Sequence, residues 1–313
     1  MNRFMSKRGV LGAAVFALLL GAAGAARAQE APAAPRPAPA DEKLARILDR
    51  AGEAVVRYHA ELFRIAYTET LRQEELRRDM TPERSKEFVF DTIIEREALS
   101  EDDEEDYYPR AVRRLRTVDG EHKKLARQVE PAESISGASL HFLTPKYRGF
   151  YEFTLEGEGQ VDGRRAYRIR VMRLGQGEPK VEWQKGLVGM HFHAFAPSVV
   201  TVWVDAENYD TLRVESRLVA PFEFESPRAF GAGPLGRFGP TRRIRYLRHD
   251  YAVRFRRERF KDPEQALLVP VAAEWVNVIE GASKPRTRST LRFSDYRRFR
   301  SDVKIIEEEE PNE

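Results

Sequence analysis

The 313-residue chain contains no cysteine. That removes a disulfide framework, a thiol nucleophile, every Cys-based metal site and a lipidated cysteine from the possible chemistries. Long apolar runs are also lacking beyond the N-terminus, so no later segment is expected to span a bilayer. Gly-rich phosphate loops are absent. The stretch "GAGPLGRFG" carries proline and has no following Lys-Ser/Thr. Ser134, Ser136 and Ser139 in "SISGAS" lack the Gly-x-Ser-x-Gly frame of a nucleophile elbow. Catalytic machinery is therefore not expected, and neither is a cofactor.

The N-terminus supplies the apolar run that the rest lacks. Arg3, Lys7 and Arg8 precede "GVLGAAVFALLLGAAGAA", and Ala26-Arg27-Ala28 closes it. A basic start, an apolar centre and a small-x-small end describe a cleavable secretory signal over 1–28. Residues 1–28 hold four basic residues and no acids, so the formal +3 of the whole chain becomes −1 once they are removed. A nucleic-acid partner then loses its compositional support, because it would need a net basic face. The expected location is the periplasm, or secretion beyond it.

Residues 29–41 are rich in Pro and Ala and read as an extended linker; 42–300 read as one domain; 301–313, with four consecutive glutamates, form an acidic tail. Asp41 offers an N-cap to a helix in which Leu44, Ile47, Leu48, Ala51, Val55 and Tyr58 recur at helical spacing. Thereafter the period becomes two. Strands are expected around Phe63–Tyr67 and Phe88–Thr92, whereas "TLRQEELRRD" (70–79) suits helix or strand equally. Acidic "EDDEED" (101–106) reads as an exposed loop, the segment up to Thr144 as short helices, and Pro145 as their end. The hairpin "YEFTLEGEGQVDGRRAYRIRVM" turns at Asp162-Gly163, and "TVWVDAENYDTLRVES" repeats the format. Long strands follow at 243–257, 267–279 and 286–298, with the Gly/Pro-rich connection 226–241 as a loop.

Roughly ten strands joined by short turns, with few helices, predict a mainly β (α+β) fold. A curved antiparallel sheet forms an incomplete half-barrel, and the N-terminal helix with one or two short helices covers its concave face. Its apolar lining is expected from Phe153, Tyr167, Ile169, Val171, Leu212, Val214, Val253, Phe255 and Trp275. The same set also describes a filled core. His191 and His193 point to one side of a strand, which makes them a weak two-ligand metal candidate that still lacks a third ligand. The runs "RRIRYLR" (242–248) and "RFRRERF" (254–260) read as solvent-facing arginines paired with neighbouring acids, and "FRRERF" as charge that protects an edge strand.

The hairpins, together with "LLVPVAAEWVNVI" and "STLRFSDYRRF", resemble the outer-membrane lipoprotein-sorting carriers, the LolA/LolB-like family, over about residues 145–298. That resemblance implies an unclosed antiparallel barrel with a helix-lidded hollow for acyl chains, a lipid or acylated protein as partner, and no reaction catalysed. No individual binding residue carries over from it. Two alternatives stand beside this expectation: an envelope protein-interaction module using the Arg-rich sheet face, and a metal-dependent enzyme at His191 and His193.

Overall fold

The computed structural model describes residues 42–63, 65–100, 103–122, 137–186, 189–226, 243–261, 264–282 and 284–298. The expected export signal, Asp41, the 226–241 connection beyond Ser226, Ser134 and Ser136 of "SISGAS" and the expected acidic tail lie outside these residues, as does the side chain of Ser139.

Helix α1 (Glu42–Leu62) forms where sequence periodicity places it. Leu44, Ile47, Leu48, Ala51, Val55, Tyr58 and Leu62 make one buried stripe, while charged residues such as Arg50 and Glu53 face water. The strands follow: β1 (Ile65–Leu76), β2 (Pro82–Ser100), β3 (Asp103–Val118) and β4 (Glu121–His122). A 3-10 turn (Gly137–Leu143) and the short α2 (Pro145–Arg148) come next. Then β5 (Tyr151–Val161), β6 (Arg164–Arg173), β7 (Lys180–Gly186), β8 (Gly189–Phe195), β9 (Ser198–Asp205) and β10 (Thr211–Leu218) lead to β11 (Phe222–Glu225), β12 (Arg243–Lys261), β13 (Glu264–Glu280) and β14 (Arg286–Arg298).

Twelve strands join in one antiparallel sheet, ordered β4-β3-β2-β1-β14-β13-β12-β10-β9-β6-β5, with β11 attached to β12. The two ends do not pair, so the sheet is an incomplete barrel capped by an N-terminal helix, as expected. β7 and β8 form a separate hairpin. Across the sheet the inward parity is continuous: Leu155, Ile169, Val202, Val214, Val253, Ala273, Leu291, Leu71, Phe88 and Val118 stand opposite one another from β5 to β3. One residue away, the row Arg168, Trp203, Arg213, Arg254, Ala272, Arg292 and Thr70 faces outward. This alternation is the two-residue period of the pleat, repeated in register over most of the strands.

Three expectations change. The ambiguous 70–79 segment continues β1 to Leu76, because Thr70–Glu75 pairs with both β2 and β14 and Leu76 with β2. Tertiary pairing overrides the helix propensity of its Glu and Arg residues. Most of the acidic 101–106 run belongs to β3, which starts at Asp103 and pairs it with Ser100. Pro145 opens α2 at its first turn instead of closing a helix, a position where its missing N–H costs nothing. The run "FRRERF" does lie at a local edge: on β12 it pairs with β13, while the β10 ladder stops at Arg254. Its charges are matched by acids: Arg256 bonds Glu258, and Arg257 bonds both oxygens of Asp210, at 2.6 and 3.0 Å.

Candidate functional site

The candidate site is the inner face of the sheet, with what lies on it. α1 crosses that face and is fixed at both ends by polar contacts. Near its start, Lys43 Nζ donates to Glu158 Oε1 at 2.8 Å and lies 5.1 Å from the Tyr167 ring centre. At its end, Arg298 Nη2 donates to Glu61 Oε2 at 2.9 Å, and Tyr58 meets Phe255 edge-on with ring centres 5.9 Å apart.

The 137–148 segment lies against both helix and sheet. Leu140, Phe142 and Leu143 are fully buried, and Phe142 packs on Tyr151 of β5. Arg148 locks this segment to α1: its guanidinium donates to Asp49 Oδ1 at 2.6 Å, to the Leu48 carbonyl at 2.6 Å and to the Leu143 carbonyl at 3.3 Å. Only glycine fits opposite it, since a Cβ on Gly52 would stand 2.7 Å from Arg148 Nη2 and 2.9 Å from the Leu143 oxygen.

Eight of the nine expected lining residues meet on this face. Ile169, Val171, Val214, Val253, Phe255 and Trp275 are buried in one core with α1, and Phe153 and Tyr167 are half-buried at its margin. Leu212 is separated from them. A bulge between Thr211 and Arg213 turns it outward, where it packs with Val161, Ala166 and Trp203. The hollow is therefore filled by the protein's own helix and turn. Its incompletely covered part is the edge formed by Tyr151, Phe153, Leu155 and Tyr167.

Sequence parity missed two polar groups on the apolar side. Glu69 lies between Tyr67 and Leu71 and is buried, with Arg113 Nε 2.5 Å from its Oε2. Burial pushes its carboxyl pKa above the ordinary value, and the guanidinium of Arg113 opposes that shift. The available signal was an acid at an inward position of "YTETL". Tyr246, His249 and Asn277 form the second group: Asn277 Oδ1 accepts from Tyr246 Oη at 2.8 Å and lies 2.6 Å from His249 Nδ1. Burial pushes the His249 pKa down, opposed by Asn277 and Asp250.

Two clefts lie elsewhere among the described residues. One, of about 470 Å³, is lined by Thr70, Arg72, Glu74, Glu274, Arg288 and Arg292 among others on the outer face. Another, of about 350 Å³, is lined by Glu75, Arg77, Arg78 and Lys284 among others. Both linings are dominated by charged groups, and Glu74 is shared by Arg72 at 3.0 Å and Arg288 at 2.6 Å. His191 and His193 belong to β8, where the backbone pairs them with Gln184 and Glu182; their side chains lie outside the described residues. Among the described residues no three His, Asp or Glu side chains gather as a metal site, and no helix is long and apolar enough to cross a membrane.

No family model and no curated protein matches the chain. Solved structures do. A LolA superfamily protein from Nitrosomonas europaea is 11% identical, with TM-score 0.34, covering 82% of this chain and 93% of that one. A putative outer membrane lipoprotein-sorting protein domain from Vibrio parahaemolyticus is 11% identical, with TM-score 0.38, covering 82% and 94%. The MucA/MucB complex of Pseudomonas aeruginosa gives a chain 10% identical, with TM-score 0.20, covering 83% and 100%.

Proposed function

We propose that this is an exported, non-enzymatic binding protein of the periplasm that holds a lipid, or the acyl part of a lipoprotein, on the inner face of its open sheet. The supporting observation is the unbroken inward row from β5 to β3, covered near β5 by a short, separately clamped segment. The acyl chain would take the place of Leu140, Phe142 and Leu143 after Arg148 releases α1.

Magnitudes constrain the ligand. Exposing three large apolar side chains costs about 5–9 kcal/mol, and each methylene buried in exchange returns about 0.8 kcal/mol. About six to eleven methylenes are then needed to break even, so long acyl chains bind and short ones do not. The half-buried edge of Tyr151, Phe153 and Tyr167 is the place of entry.

Native mass spectrometry of freshly purified protein should show bound lipid, and a fluorescent hexadecanoyl probe should be taken up where an octanoyl probe is not. Arg148→Ala should raise uptake. If neither wild type nor Arg148→Ala takes the long probe and no lipid co-purifies, the carrier reading is lost.

A second reading has its own observation. Arg254 and Arg292 flank Ala272 on the outer face, and no described carboxylate lies within 4.0 Å of either. An acidic envelope protein docking there would be retained in a pull-down by wild type and lost by Arg254→Glu/Arg292→Glu. Equal retention by both would remove this reading.

A further inference from the structure

Large apolar side chains stand exposed at Val56, Ile93, Phe150, Leu174 and Val219 among the described residues. Val56 and Ile93 are isolated from each other, on α1 and β2. The other three share one place. Phe150 precedes β5, Leu174 follows β6 and Val219 follows β10, and β5, β6, β9 and β10 are consecutive neighbours. The ladder continues past the strand ends, with Leu174 N donating to the Phe150 carbonyl at 2.8 Å and Val219 N to the Pro197 carbonyl at 2.9 Å.

Phe150, Leu174, Pro197 and Val219 thus form one cross-strand row. Each is an odd number of residues from an inward-facing neighbour (Phe153, Val171, Val200 and Val214), so all four lie on the outer side of the sheet. Behind them, Met172 and Val199 are paired on the same side and half-buried. Phe150, Leu174 and Val219 remain 59%, 52% and 54% exposed. Around this lip, Lys146 and Arg217 are exposed and Arg173 is half-buried, against the exposed Glu152.

We propose that this lip is a membrane-contact surface, which inserts Phe150, Leu174 and Val219 into the interface of an anionic bilayer. Its size separates a lipid from a protein partner. Four strands span about 14 Å, whereas a stable protein interface buries about 800 Å² on each side. A bilayer needs no matching pocket: protruding apolar tips enter the acyl boundary while neighbouring Lys and Arg extend to anionic headgroups. The proposal does not depend on an open hollow, because the lip lies on the opposite side of the sheet from α1.

Flotation of the full chain with phosphatidylglycerol/phosphatidylethanolamine vesicles tests it, with phosphatidylcholine vesicles in parallel. Burying each half-exposed tip is worth about tenfold in partitioning, so Phe150→Ser/Leu174→Ser/Val219→Ser should lower vesicle binding by about 100- to 1000-fold. Ile93→Ser, which changes an exposed apolar group elsewhere, should bind as wild type does. Lys146→Glu/Arg217→Glu should weaken binding to the anionic vesicles and leave the zwitterionic ones unaffected. Urea midpoints equal to wild type confirm that the exposed substitutions leave the fold intact. The proposal is overturned if wild type stays with the soluble fraction, or if the triple variant floats as well as wild type. Binding without uptake of an acyl probe would leave this proposal standing and remove the carrier reading alone.

Discussion

Arg113 of β3 and Glu69 of β1 form an ion pair across β2, on the apolar side of the sheet, with Nε and Oε2 2.5 Å apart and both side chains buried. The guanidinium also lies 5.6 Å from the Phe90 ring centre. A pair so placed does not add stability in proportion to its attraction, because both charges have left water. Its effect is asymmetric. Arg113→Met strands a buried carboxylate and should cost about 3–5 kcal/mol, whereas Glu69→Leu/Arg113→Met should lie near wild type or above it. Urea unfolding of both single variants and the double variant gives the coupling directly. Additive single effects would show that the pair does not act as a unit.

Titration gives opposite signs at the two buried polar groups. The His249 pKa is lowered from 6.5, so below that value the unfolded chain takes up a proton that the folded chain does not. Its neutral imidazole therefore favours folding above pH 6.5, and that stability is lost as pH falls toward the folded value, at no more than about 1.4 kcal/mol per pH unit. Glu69 behaves in reverse. Its pKa is raised from 4.5, so its contribution is fully present below 4.5 and is lost as pH rises through the folded value. Urea midpoints measured from pH 4 to pH 8 should fall less steeply on the acid side in His249→Gln than in wild type. Parallel curves would show that His249 is not the titrating group.

Much of the sheet was legible because period-two alternation is a local signal, and the inward positions of β5, β6, β9, β10, β12 and β13 follow it. Leu212 shows where this stops: a bulge changes parity without changing residue type, so the sequence places it beside Val214 and the structure does not. The filling of the hollow was not legible either. Whether an apolar face holds a ligand or the chain's own residues depends on where the 137–148 segment packs, which is a long-range contact. The two outer arginines without a carboxylate near them among the described residues, and the apolar lip, likewise emerge only once strand order is known.

The turn of "DAENYD" between β9 and β10 carries a more local prediction. Asp205 Oδ1 accepts from the backbone N–H of Glu207 at 2.9 Å and of Asn208 at 3.0 Å, while its Oδ2 pairs with Arg164 at 2.8 Å. Both Asp205 and Asp210 are buried, so the turn is tied to β6 and β12 through Arg164 and Arg257. Asp205→Ala removes a carboxylate that organises two backbone donors and should cost about 2–3 kcal/mol in urea unfolding. Asp205→Asn keeps an acceptor and should cost less. Equal losses would assign the effect to the missing charge alone.

Gly52 tests whether the 137–148 segment is a separable cover. Its Cα hydrogen faces Arg148 and the Leu143 carbonyl, so any Cβ there meets one flexible group and one fixed oxygen. Gly52→Ala can be relieved by a shift of Arg148 Nη2, but the 2.9 Å approach to the Leu143 oxygen remains. Gly52→Val adds two methyl groups that this space cannot hold, and overpacking of this kind costs about 1–3 kcal/mol. The strain should be released locally, because α1 keeps its own contacts with Phe255, Glu158 and Arg298. Limited proteolysis should then cut Gly52→Val after Lys146 or Arg148 faster than wild type, while the urea midpoint falls modestly. A large fall in midpoint with no new cleavage would mean that the segment and helix unfold together with the sheet. The inner face would then have no route to open short of global unfolding.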